Sequence, residues 1–375
     1  MGGNALKNTK IIRLPQKEFF ETQKRVIQKI KTVFPFARIE AIPAYSEKKT
    51  FGDLDILITD KDIHTYKQSH FKEEGINPLD ELTHKLFNST ETFENNTVFS
   101  FDYRKNAETE YGFQIDLIYT QNDYFDFTKN YFSYNDLGNL IGRVAAGMGL
   151  KFGHLGLTYD VKDGNNHFAV LEISRDFNKS LEFLGFSSER YHQGFKNLSE
   201  IFEYVVSSKY YNYDLYKLEN SSYAERVRER KRPTYRAFIQ FSKNLSQIKK
   251  ANFVFPEDKK DWLPEIFNSF EGSEAAYNKA WYFKTNRENA KKIFNGRNIG
   301  NITGLENKYL GHFMNHIRSQ FNNRDVLFDW ITGSSEPEFK SAINIYLNQF
   351  NSYKDSINIE EPVEKLLQTS KLKIK

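Results

Sequence analysis

The chain has 375 residues, a net charge of +4 and no cysteine. The length allows two or three domains with a sizeable core, and the missing cysteines exclude disulfides, thiolate zinc sites and a cysteine nucleophile. Eight histidines are scattered without ligand spacing. No apolar run approaches a membrane span and no secretory h-region opens the chain, so a cytoplasmic protein with no membrane partner is expected. Gly2 suggests a myristoylation signal, but Leu6 stands where Ser or Thr is needed.

The apolar residues Phe19, Phe20, Val26, Ile27, Ile30 and Val33 recur near helical spacing and predict a helix over 15–34. A strand over 38–44, a polar turn over 45–50 and a strand carrying Asp53 and Asp55 follow. Residues 60–95 are polar and read as helical, with Pro78 opening one helix. Strands are expected near 97–104 and 111–119, a Gly-dotted helix over 135–148, and a hairpin of 152–160 with 167–173 around Lys162-Asp163-Gly164-Asn165. After Arg175 helical segments dominate. The fold class is α+β: a mixed-sheet domain over 1–130, a helix and hairpin over 131–175, and an α-helical region over 176–375.

The chemistry concentrates in Phe51-Gly52-Asp53-Leu54-Asp55-Ile56-Leu57-Ile58 and Gln114-Ile115-Asp116-Leu117-Ile118. Side chains two apart in a strand share a face, so Asp53 and Asp55 point the same way, and Asp116 comes from what should be a neighbouring strand. Aspartate is depleted inside strands, yet both runs carry it centrally. Three converging carboxylates repel one another unless a cation neutralises them, and oxygen-only ligands suit Mg²⁺. Gly52 allows close backbone approach or an unusual turn there. The bland alternative is a solvated strand edge.

This pattern resembles the DNA polymerase beta superfamily of nucleotidyltransferases, and its family X branch in particular. Gly52-Asp53-Leu54-Asp55-Ile56-Leu57-Ile58-Thr59 is similar to that branch's first acidic strand, and Ile115-Asp116-Leu117 to its third-aspartate strand. Tyr131-Phe132-Ser133, Asn139, Arg143 and Gly149-Leu150 follow in the family's register. The resemblance covers about residues 38–157. It implies Asp53, Asp55 and Asp116 as catalytic metal ligands for two Mg²⁺ ions, with Mn²⁺ as a substitute. It also implies Tyr131, Phe132, Asn139 and Arg143 as nucleotide contacts, the last two sharing a helix face.

The chain departs from the family at the triphosphate loop. Ile42 and Pro43 stand where the family has Gly-Ser, and Tyr45-Ser46 where it has Arg-Arg. Ser46, Lys48 and Lys49, beside Gly52, are the expected substitutes, with Gly2-Gly3-Asn4 as a further source of backbone donors. A lyase domain and helix-hairpin-helix fingers do not fit in the residues before the palm.

Glu225 to Arg236 reads as a basic run between Tyr223 and Tyr235. Its Arg226, Arg228, Arg230, Lys231, Arg232 and Arg236 fit a nucleic-acid track; a solvated helix with Glu225 and Glu229 in intrahelical pairs is the alternative. The glycine-punctuated segment Phe294 to Phe321 loosely resembles the C-terminal part of CCA-adding tRNA nucleotidyltransferases. Lys371–Lys375 reads as a frayed tail. The expected function is therefore transfer of NMP from a nucleoside triphosphate to a nucleic-acid 3′ end, with RNA, such as tRNA, preferred. Template-directed DNA synthesis, transfer to a protein or small molecule, and a non-catalytic binding module are the alternatives.

Overall fold

A computed structural model of the chain describes residues 5–71, 75–220, 222–248 and 253–356. Gly2-Gly3-Asn4 and the Lys371–Lys375 tail lie outside them. The chain divides into two compact units, Met1–Ser273 and Glu274–Lys375. The fold is α+β, with a mixed sheet and a helical C-terminal region. No described helix is long and apolar enough to cross a membrane.

The first unit begins with two short strands, β1 (Lys10–Ile11) and β2 (Leu14–Pro15), and helix α1 (Gln16–Val33). Then come β3 (Ile39–Ala41), β4 (Thr50–Phe51), β5 (Asp53–Thr59), α2 (Asp60–Ser69) and α3 (Pro78–Phe87), the last with Pro78 in its first turn as expected. Strands β6 (Thr92–Asn95), β7 (Val98–Tyr103) and β8 (Tyr111–Thr120) follow. The polar stretch 60–95 reads as helical, but its end, Thr92–Asn95, forms β6, which extends the sheet edge by pairing antiparallel with β7. The order across the sheet is β3-β5-β8-β7-β6, with β1 added parallel to β8.

Alternation splits this sheet into unlike faces. Leu54, Ile56, Ile58, Phe99, Phe101, Ile115 and Leu117 form one core with Phe19, Val26 and Ile30 of α1 and with Leu79 and Phe87 of α3. On the opposite face, Leu57 and Ile118 pack under Phe125, which opens α4 (Phe125–Phe132). The remainder of that face is polar. Its apolar half is covered by α4; its polar half carries the aspartates.

Helix α5 (Leu137–Gly147) and the antiparallel sheet β9 (Leu150–Gly153), β10 (Gly156–Asp163) and β11 (Asn166–Ser174) follow. Gly138 is required: a Cβ there would fall 2.2 Å from the Tyr131 carbonyl oxygen. Helices α6 (Phe177–Phe183), α7 (Ser188–His192), α8 (Leu198–Val206), α9 (Tyr223–Arg230), α10 (Pro233–Ile248) and α11 (Leu263–Ser269) complete the unit. Because α6 packs on α4 and β11, and α8 on α5, the compact first unit extends past residue 175.

The second unit contains α12 (Ser273–Ile293), α13 (Gly296–Thr303), α14 (Asn307–Ser319), α15 (Arg324–Gly333) and α16 (Glu336–Ser356). Its glycine-punctuated segment is a helix hairpin: Gly304, at φ 69°, closes α13, and Gly296 and Gly300 admit Leu310 against that helix. Phe294, Ile299, Phe313 and Ile317 belong to this unit's core.

Ile56, which follows Asp55 on β5 and points to the opposite face of the sheet, is fully buried in the core. Ile56→Ala should cost the first unit about 2–5 kcal/mol, read as a lower urea midpoint for that unit's transition.

Candidate metal site and nucleotide-facing surface

Strands β5 and β8 are parallel, with Asp53 opposite Gln114 and Asp55 opposite Asp116. On the other side of β8, β7 places Ser100 opposite Asp116. Parallel register therefore sets Asp53, Asp55 and Asp116 on one face, and one oxygen from each can lie within 4.8 Å of the others. The three side chains are half-buried. This grouping could hold a metal ion, as the residue pattern predicts.

The electrostatics fit a cation. Burial is the main cause pushing the Asp55 carboxyl well above its ordinary range, with repulsion from Asp53 and Asp116 adding to it. Burial likewise pushes Asp116 up to about 6, against hydrogen bonds from Ser100 and Gln114 that favour its charged form. Gln114 Nε2 donates to both Asp116 oxygens, at 2.9 and 3.0 Å. Gly52, buried in the bend between β4 and β5, does not use a left-handed backbone.

Lys48 is the predicted phosphate-loop substitute that faces this site. Burial lowers its pKa, opposed by the attraction of Asp53 and Asp55. Its Nζ lies 3.4 Å from Asn135 Oδ1 and 4.7 Å from the centre of the Phe51 ring. Asn135 and Tyr134 both have positive φ, 63° and 59°, and the Tyr134 N–H donates to the Pro43 carbonyl at 2.9 Å. Two adjacent left-handed residues, one bulky, form a strained turn of the kind held at functional sites.

The other loop residues play different parts. The backbone N–H groups of Ser46 and Glu47 donate to the carbonyls of Phe195 and Lys196, at 2.9 and 2.8 Å. Ser46 thus offers its exposed hydroxyl, not its amide, and lines a cavity of about 550 Å³ with Pro43, Tyr134, Arg190 and Phe195. Lys49 is exposed, and its carbonyl accepts the Gln16 N–H at the start of α1.

Tyr131 and Phe132 end α4 as half-buried rings against Phe152 and His154. Asn139 and Arg143 do share a face of α5, but that face is covered by α9. Asn139 Nδ2 donates to Glu229 at 3.2 Å, and Arg143 pairs with Glu225 at 3.0 Å and with Glu229 at 3.7 Å. Arg143 also sits 5.6 Å from the centre of the Tyr235 ring. In this arrangement both predicted nucleotide donors are occupied by carboxylates.

The basic run is correspondingly split. Arg228 pairs with Glu229 at 2.8 Å, and Arg232 pairs with Asp136 at 2.9 Å. Glu229 is fully buried and serves as the hub; Glu225 joins Ser222 in a capping box while also meeting Arg143. Tyr235 is fully buried, so stacking on a base is closed to it, whereas Tyr223 is 76% exposed. Arg226 is half-buried, and Arg230, Lys231 and Arg236 are exposed. Only part of the run therefore presents charge outward. Gln114 and Ser100, which hydrogen-bond or oppose Asp116, carry no sequence signal of a site, except that Gln114 stands two residues before Asp116 on a strand and therefore shares its face.

Comparison of the chain with protein-family models gives no match, and no curated protein matches it.

Asp116 gives a signed test. Its folded-state pKa is raised, so the neutral form is favoured by folding; the parent's stability relative to a neutral variant falls as pH rises through about 6. Without divalent cation, Asp116→Asn should have a higher Tm than the parent at pH 7.5. The gap should close as pH falls below the ordinary carboxylate range, where Asp116 is protonated whether folded or not. Glu229→Ala should behave oppositely, costing about 3–5 kcal/mol because Arg143 and Asn139 lose their buried partner; thermal unfolding of the two variants separates the effects.

Proposed function

We propose that the chain is a divalent-metal-dependent nucleotidyltransferase that moves NMP from a nucleoside triphosphate to the 3′-hydroxyl of a nucleic acid, with RNA as the preferred acceptor. The carrying observation is the grouping of Asp53, Asp55 and Asp116 within 4.8 Å on two parallel strands, together with the raised pKa values that a cation would relieve. The resemblance of these strands, and of the Tyr131-Phe132…Asn139…Arg143 register, to the DNA polymerase beta superfamily supports the same reading.

Mg²⁺, with Mn²⁺ as a substitute, would supply charge neutralisation of the triphosphate and activation of the attacking hydroxyl. Asp53 and Asp55 would hold the ions. Asp116 would complete the site toward the acceptor and take the hydroxyl proton on a carboxylate oxygen as the new O–P bond forms and pyrophosphate leaves. Lys48, within electrostatic reach of Asp53 and Asp55, would face the phosphates. With the Ser46 and Glu47 amides already bonded, side-chain donors replace the backbone donors of a glycine-rich loop. Tyr131 and Phe132 would flank the sugar. Contact of Asn139 and Arg143 with a nucleotide requires them to leave Glu225 and Glu229.

Labelled NTPs and dNTPs offered with a tRNA, a single-stranded RNA and a primed DNA template test this directly. Incorporation should require Mg²⁺ or Mn²⁺ and fall below a few per cent of the parent in Asp53→Ala and Asp55→Ala. Full activity in either variant excludes the site. Lys48→Ala should raise the nucleotide KM by a factor equivalent to about 1.5–3 kcal/mol, the scale of a hydrogen bond to a charged group. Replacing Arg230, Lys231 and Arg236 by Ala should flatten the log–log salt dependence of acceptor binding by about 2 units, at roughly 0.7 per phosphate contact on a single strand. An unchanged slope would mark these three as a solvated surface.

A further inference from the structure

We infer that Gln114 is a positioning residue for Asp116, and that the N-terminal strap of the chain, residues 5–12, is coupled to the metal site through it. The inference rests on the metal-site reading above.

Gln114 is 2% exposed and serves two groups with one amide. Its Nε2 donates to both Asp116 oxygens, and its Oε1 accepts the Ala5 N–H at 3.0 Å. Only this orientation of the amide satisfies both sides. Flipped, it would set a carbonyl oxygen against a carboxylate and an NH₂ against an N–H. The amide that orients Asp116 is therefore also oriented by the strap.

The strap is built into the sheet. Lys10 and Ile11 pair parallel with Tyr111 and Gly112, and the Ile12 N–H donates to the Gly112 carbonyl at 2.9 Å. Leu6 is 5% exposed. Glu91 accepts the backbone N–H groups of Lys7, Asn8 and Thr9, at 2.8, 3.0 and 2.6 Å. Glu91 is itself fixed, because the buried Asp102 accepts its N–H at 2.8 Å and pairs with Arg104 at 2.6 Å. Gly112 makes room: a Cβ there would lie 2.7 Å from Asp102 Cβ and 3.2 Å from Thr9 Cγ2. Glu91 thus clamps the strap at a distance in sequence from every proposed metal ligand.

Coupling of this kind is reciprocal. A docked strap holds the Gln114 amide in the orientation Asp116 needs, and a cation on Asp116 holds that same amide ready for Ala5. Losing a group that orients a ligating carboxylate costs about 10–100-fold in metal affinity.

Mn²⁺ titration of the full chain, followed by electron paramagnetic resonance, reads the coupling without reference to activity; hydrogen exchange at the strap amides reads docking. Gln114→Leu should weaken Mn²⁺ binding by about 10-fold or more. Glu91→Ala, at the clamp, should weaken it several-fold and speed exchange at Leu6 to Thr9. In the Gln114→Leu background Glu91→Ala should have no further effect on Mn²⁺ affinity. Saturating Mn²⁺ should slow strap exchange in the parent but not in Gln114→Leu. The inference is overturned if the parent binds Mn²⁺, Asp55→Asn abolishes binding, and Glu91→Ala frees the strap at unchanged affinity; additive losses in the double variant overturn it equally. If the parent itself binds no Mn²⁺, the metal-site reading fails and takes the inference with it.

Discussion

Burying three mutually repelling carboxylates on one sheet face is the constraint on which this site depends. Parallel pairing of β5 with β8 sets Asp55 directly opposite Asp116, and strand alternation adds Asp53 to the same face. Burial raises the cost of every charge brought there. The structure offsets that cost in part with donors from Ser100 and Gln114 and with the ammonium of Lys48. A cation would offset the remainder. The opposite face has no such conflict and supplies the apolar core that keeps the strands in register.

A second charge arrangement governs the helical part of the first unit. Helix α9 carries Glu225 and Glu229 amid its arginines, and the fully buried Glu229 gathers Asn139, Arg143, Arg228 and Arg232 around one carboxylate. Such a hub is specific because leaving any of its charges unpaired in a low-dielectric setting is costly. In it the α5 donors Asn139 and Arg143 are held by carboxylates of α9.

Much of the sheet that carries the aspartates was legible in the chain. The strand carrying Asp53 and Asp55 was readable from alternation, and the strand of Asp116 from its apolar run. Helix α3 was readable from Pro78, and the β10–β11 hairpin from its glycine turn. Local rules govern these segments, because propensity, period and turn chemistry all agree there. Strand β6 was not legible, since Thr92–Asn95 is short, polar and largely exposed, and becomes a strand only by pairing with β7. The unit boundary was also hidden: helical composition after Arg175 is continuous, and only packing assigns α6–α11 to the first unit.

At the site, residue types and spacing by themselves determined that Asp53 and Asp55 share a strand face, because the two-residue period of a strand is a local property; it took the parallel pairing of β5 with β8 to bring Asp116 onto that face. Spacing also determined that Asn139 and Arg143 share a helix face. What those side chains touch was decided only by the tertiary structure. Arg143 meets Glu225, eighty-two positions away, and Gln114 meets Ala5 across one hundred and nine. Sequence distance carries no information about such partners, since a charge or an amide is satisfied by whichever group the fold brings within about 3 Å of it.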